Sequence, residues 1–173
     1  MRRTSILIAS TFVLAFALSG CAAGLNAETR NIVRVTDGNE ITIDENGSEI
    51  RVVNLKLVDT GDGAAVVVGT IINQGANPDQ LLGFSVNGIQ ATLTGETNLL
   101  TNKPVSFEGE QANAKAVFLG VNPTAGTNVK ISIGFAKAGF VSAEVIIRDK
   151  RDDFKNVVSG SDPVAADTAT VNE

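Results

Sequence analysis

The chain has 173 residues and contains no His, no Trp and no Tyr, with one Cys and one Met. These absences narrow the chemistry open to the chain. Without His there is no Ser-His-Asp triad, no Cys-His pair and no imidazole metal ligand. The single Met is Met1. Without Trp and Tyr, the amphipathic aromatics on which carbohydrate and base-stacking sites usually rely are missing. Positive charge is scarce too, with 14 Lys+Arg against 19 Asp+Glu and a net charge of −5. No basic stripe is available to neutralise phosphates, so a nucleic-acid partner is excluded. No Gly-x-Gly lies in a strand-to-helix setting, which removes the nucleotide fingerprint. No Ser-x-x-Lys occurs, which removes the simplest His-free nucleophile.

What is present begins with a secretory pattern. Arg2 and Arg3 precede a 13-residue apolar stretch from Ile6 to Leu18, interrupted only by Ser10 and Thr11. That stretch is shorter than the roughly 20 residues a membrane span needs. It ends in Leu18-Ser19-Gly20-Cys21, a lipobox: an aliphatic residue, two small ones, and the Cys whose thiolate is alkylated. Residues 1–20 are therefore expected to be a lipoprotein signal peptide cleaved between Gly20 and Cys21. A lipidated Cys21 would anchor the chain to the membrane on its extracytoplasmic side, and two acyl chains suffice for durable attachment. Cys21 is consumed as a thioether, leaving no thiol for redox or metal chemistry. With Arg2 and Arg3 gone, 12 Lys+Arg face the same 19 Asp+Glu, a net charge of −7.

Residues 21–28 are small and polar and read as a tether. From Thr29 onward, short runs rich in Val and Ile alternate with Gly, Asn and Asp. The pattern predicts strands at 29–35, 40–43, 50–58, 64–73, 81–86, 89–94, 104–107, 114–119, 128–136 and 140–148. Val53, Leu55 and Leu57 are expected on one face, with Asn54 and Lys56 on the other. Asp37-Gly38, Asn46-Gly47, Asp62-Gly63 and Asn87-Gly88 are tight-turn dipeptides. Short strands with turns every eight to twelve residues predict an all-β antiparallel, immunoglobulin-like sandwich over 29–150. Residues 151–173 form an acidic tail, expected to be disordered from 156 onward for want of apolar surface.

Carboxylates are the remaining general acid-base candidates. Asp37, Asp44, Glu45, Asp59, Asp62 and Asp79 all fall in predicted turns, where Asp serves its own hydrogen bonding. Residues 44–49 resemble a calcium loop but lack the Gly at its sixth and the Glu at its twelfth position, so a hairpin is expected. Phe84, Phe107, Phe118, Phe135 and Phe140 lie in or beside strands and are expected in the core. Lys103, Lys115, Lys130, Lys137 and Lys155 are dispersed, as on a solvated face.

Two segments are similar to the PCuAC family of extracytoplasmic copper chaperones. The first runs from Gly69 to Ser85, with Asn73-Gln74-Gly75 followed by Asp79-Gln80-Leu81-Leu82-Gly83. The second is Ala116-Val117-Phe118-Leu119-Gly120-Val121, followed by a strand pair turning at Phe135-Ala136-Lys137-Ala138-Gly139. Together with the lipobox and acidic tail, the chain resembles the LpqE-like lipoproteins of actinobacteria. The resemblance implies a cupredoxin-like Greek-key sandwich and, in the chaperones, Cu(I) held by His and Met side chains. Matched on Gly120, the family's His position is Lys115 and its Met position is Val117. An ammonium and a branched hydrocarbon cannot ligate copper. The expectation is therefore a chain without cofactor, metal or catalytic residues, acting as a binding module on an envelope protein or cell-wall component. The alternative is copper handling of the PCuAC type with an altered or lost metal site. A third reading is a hydrolase using two carboxylates.

Overall fold

Val, Ile and Thr crowd the segments between the turn dipeptides, and their branched side chains suit a pleated, half-buried surface. The computed structural model describes residues 38–45 and 47–160, and among them eleven strands form. These are β1 (Asn39–Glu45), β2 (Ser48–Asp59), β3 (Ala65–Asn73), β4 (Asp79–Val86), β5 (Ile89–Gln90) and β6 (Thr92–Gly95). They are followed by β7 (Asn98–Leu99), β8 (Pro104–Phe107), β9 (Ala114–Phe118), β10 (Asn128–Phe135) and β11 (Gly139–Asp149). The expected all-β sandwich is what forms. The strand order is β5-β4-β10-β11-β2-β3-β8-β9-β6, with β1 also on β2 and β7 on β4. Signal peptide, tether, the strand expected at 29–35, Asp37, Asn46 and the tail from 161 lie outside the described residues.

β11 carries the sheet from one layer to the other. Its first part pairs antiparallel with β10, from Phe135↔Gly139 to Asn128↔Ile146. Its last three residues, Ile147, Arg148 and Asp149, run parallel to Leu57, Val58 and Asp59 of β2. This parallel contact departs from the purely antiparallel expectation. It arises because β1 pairs with β2 from Asn39↔Leu55 to Glu45↔Ser48 and leaves the far end of β2 free. Between the layers lies one core containing Ile50, Leu57, Phe84, Phe107, Phe118 and Ile133. Phe84 and Phe107 meet edge to face, with centroids 5.3 Å apart at 85°, the arrangement aromatic quadrupoles prefer.

The turn chemistry reads directly. Asn87 (φ 50°) and Gly88 (φ 82°) join Val86 to Ile89 with both central residues left-handed, as a two-residue type I′ hairpin requires. Asp44 lies opposite Glu49 and Glu45 opposite Ser48 in antiparallel register, the pairing the expected hairpin requires. Asp44 and Glu45 themselves end β1 rather than sit in the turn.

Three other expectations are corrected. In β2 the faces do not alternate through 53–57, because Asn54 (φ 59°) is a bulge and the register with β3 shifts between Val53 and Lys56. Val52, Leu55 and Leu57 face the main core, and Val53 is only half-buried. Gly69 across the pair makes room: a Cβ there would lie 3.2 Å from both the Leu55 Cα and the Val53 carbonyl oxygen. The strand expected at 89–94 splits at Ala91, with β5 on β4 and β6 on β9. Residues 152–160 also dock rather than trail away, a 3-10 turn at Asp152–Phe154 leading to Val157, which is 5% exposed.

Candidate functional site

Lys115 and Val117 lie on β9, one side chain apart on the face away from the main core. Ala114, Ala116 and Phe118 take the inward face, as strand alternation demands. Lys115 is 1% exposed, which corrects its placement on a solvated face. Its Nζ lies 3.3 Å from Glu108 Oε1, and the Glu108 side chain is 8% exposed. Glu108 reaches it from the turn after β8, where its φ is 61° and Gly109 follows at 103°. Breaking a buried pair by removing one partner costs about 3–5 kcal/mol, so the two side chains hold each other in place. Val117 joins a second apolar cluster with Val58, Ala64, Val66 and Val157.

That cluster is closed by the C-terminal segment. The Lys56 ammonium lies 5.4 Å from the centroid of the Phe154 ring, within the range of a cation–π attraction. Ser159 donates to Asp62 Oδ2 at 2.5 Å and Thr60 to Asp62 Oδ1 at 2.5 Å. The Ser159 bond first, and then the Thr60 bond, hold the Asp62 carboxyl down at about 2.

The residues that carry the family resemblance are structural. The Asn73 carboxamide donates to the carbonyls of Asn77 and Leu99, each at 2.8 Å, and accepts from the Gly75 N–H at 3.0 Å. Asp79, 6% exposed, accepts from the N–H groups of Lys137 at 2.9 Å and Ala138 at 3.0 Å. The first motif therefore clamps the turn that forms the second. Asp59 accepts from the Gly61 N–H at 2.8 Å. Among the described residues no three His, Cys, Asp or Glu side chains are grouped to hold a metal ion.

Phe84, Phe107, Phe118 and Phe135 are in the core as expected, but Phe140 is not: it is 83% exposed. Parity along β11 carries the signal, since Phe140 shares a face with Ser142 and Glu144 while Val141, Ala143 and Val145 take the other. The Phe140 ring sits across the strand pair on Gly134, where a Cβ would come within 2.8 Å of its Cε1. Leu82, 56% exposed, flanks it. Beside the ring opens a cleft of about 220 Å³. A second cleft of about 180 Å³ lies at the loop between β9 and β10, floored by Leu57, Val86 and Ile147.

Gly20 and Cys21 lie outside the described residues. Three solved structures share the fold. The chain matches the apo PCuAC domain from PmoF1 with a TM-score of 0.54 at 19% identity, over 64% of this chain and 99% of that domain. It matches the copper-bound PCuAC domain from PmoF2 at 0.53 and 16%, over 64% and 98%. It matches the apo PmoF2 PCuAC domain at 0.53 and 15%, over 66% and 98%. The fold is thus the cupredoxin-like sandwich of PCuAC domains. No family model and no curated protein sequence matches the chain.

Proposed function

We propose that this chain is a non-catalytic binding module of the cell envelope, tethered through a lipidated Cys21 and built on the PCuAC fold with the copper position closed. The observation that carries the reading is the Lys115–Glu108 pair. The residue matched to the chaperones' His is a buried ammonium held 3.3 Å from a carboxylate, and the one matched to their Met is a packed valine. An ammonium has three donors and no lone pair, so it could ligate only by losing both its proton and its partner. Carboxylates are hard ligands and Cu(I) prefers soft ones. The lipobox supports the tether, and the LpqE-like resemblance supports an envelope setting.

Two measurements test this. In competition against a Cu(I) chelator, the protein should take no more copper than an unrelated acidic β-protein. Tight stoichiometric binding would instead establish the second reading, copper handling, which draws on the likeness to PCuAC domains, one of them copper-bound. Metabolic labelling with a palmitate analogue should mark the wild type and not Cys21→Ala, and equal labelling of both would sink the tether.

A further inference from the structure

Phe140 stands on an outer sheet face where its neighbours across the strands are glycines and serines, with exposed Leu82 beside it. Three strands align there in register. Gly134 of β10 pairs with Gly83 of β4 on one side and with Phe140 of β11 on the other. One row along, Ser132 pairs with Ser85 and with Ser142, and the Ser132 and Ser142 hydroxyls are 2.8 Å apart. The aromatic ring is thus seated on bare backbone beside a row of hydroxyls, and the exposed Gln90 side chain borders the same cleft.

We propose that this face is a platform for a neutral carbohydrate chain, with Phe140 stacking on a sugar ring while Ser132, Ser142 and Gln90 meet its hydroxyls. The proposal rests on the binding-module reading and names its ligand class. Sugar C–H groups, polarised by adjacent oxygens, are attracted to the negative face of an aromatic ring. The polar tip that Tyr or Trp would bring is supplied by the neighbouring serines and amide. Hydroxyls and amides both donate and accept, as a polyol requires.

Charge and size argue for the same ligand. The cleft has no charged side chain in its lining, although 19% of the chain is charged, so an ionic ligand finds no counter-charge. Lys130 and Glu144, the next pair along the face, cancel one another. A volume of about 220 Å³ is below the roughly 300–1,000 Å³ of drug-sized sites, which suits one sugar unit of an open-ended chain. A protein partner fits less well. Stable interfaces bury about 1,200–2,000 Å² around an apolar centre, and this centre consists of Phe140 and Leu82 over glycine and serine.

The test is an amide NMR titration of the full chain with an N-acetylglucosamine trimer and with maltotriose, using trigalacturonate as the anionic control. A neutral trimer should shift Gly83, Gln90, Ser132, Gly134 and Ser142 with a Kd on the order of 1 mM. Phe140→Ala should weaken binding at least tenfold. Phe140→Leu, which keeps Gly134 covered, should do the same while leaving the remaining spectrum intact. No site-specific shift with either neutral sugar would overturn the proposal, as would equal binding of trigalacturonate. A concentration-dependent dimer abolished by Phe140→Ala would also overturn it and assign the face to a second copy. Failure here without Cu(I) binding leaves the binding-module reading standing, whereas tight Cu(I) binding removes that reading itself.

Discussion

Replacing Asp79 by Ala should destabilise the domain by about 3 kcal/mol, and the reasoning is local. The carboxylate is 6% exposed and receives the Lys137 and Ala138 N–H groups from 58 and 59 residues away. Hydrogen bonds to a charged group contribute about 1.5–3 kcal/mol each, and stranding a buried donor costs a comparable amount. Ala138 is 7% exposed, so its N–H cannot turn to water without the hairpin opening. Lys137 lies at the surface and recovers part of its loss from solvent, which brings the total to about 3 kcal/mol. In a domain of this size 1 kcal/mol moves the melting temperature by about 4 °C, so the expected fall is about 12 °C. Thermal unfolding followed by circular dichroism measures it. Asp79→Asn keeps one acceptor oxygen and should lose about half as much, and hydrogen exchange at Ala138 should quicken in both. A fall below about 3 °C with unchanged protection at Ala138 would refute the clamp.

Two further outcomes bear on the C-terminal segment. Val157→Ala should cost about 1.5 kcal/mol, the burial value of two carbon groups, read as a lower urea midpoint at unchanged slope. An effect near zero would mean the segment does not hold the sheet. The hydrogen bonds from Ser159 and Thr60 hold the Asp62 carboxyl down at about 2, below the usual carboxylate range. The stability it contributes is therefore complete above about pH 4 and lost as pH falls through 2. Ser159→Ala should flatten that part of the pH–stability curve, and an unchanged curve would contradict the bond.

The sandwich was legible because turn residues and β-branched runs agree about where strands start and stop. Asn87-Gly88 is the clearest case, since both residues adopt the positive φ their dipeptide suggests. Period-two reasoning fails where a single residue breaks the count. Asn54 has a local sequence that reads as uninterrupted strand, yet its left-handed φ shifts the count, so that Val52 rather than Val53 shares the core face with Leu55 and Leu57. Ala91 lies where the chain changes partner from β4 to β9, and partner choice is a long-range property that composition cannot carry. β7, two residues long, is too short to show a period. At the candidate site, Lys115 reads as a surface lysine from composition. Its burial depends on Glu108 arriving from a separate turn, which no local pattern announces.

The two outer faces of the sandwich are treated in opposite ways. Over β2, β3 and β9, the valines at 58, 66 and 117 are sealed by Val157 and Phe154, and the charged side chains there are enclosed as well, Lys56 at 5% exposure and Lys115 at 1%. A chain of this length has enough polar residues to leave a sheet face wet without an aromatic on it, and on β10 and β11 the serines and Lys130 do that. Phe140 breaks the rule. Burying a Phe side chain is worth about 1.5–3 kcal/mol, and at 83% exposure most of that stabilisation is forgone. The ring nonetheless lies over Gly134, where a Cβ would come within 2.8 Å of its Cε1. An aromatic that adds little to stability but has a backbone shaped to receive it is better accounted for by what lands on its open face than by the fold beneath it.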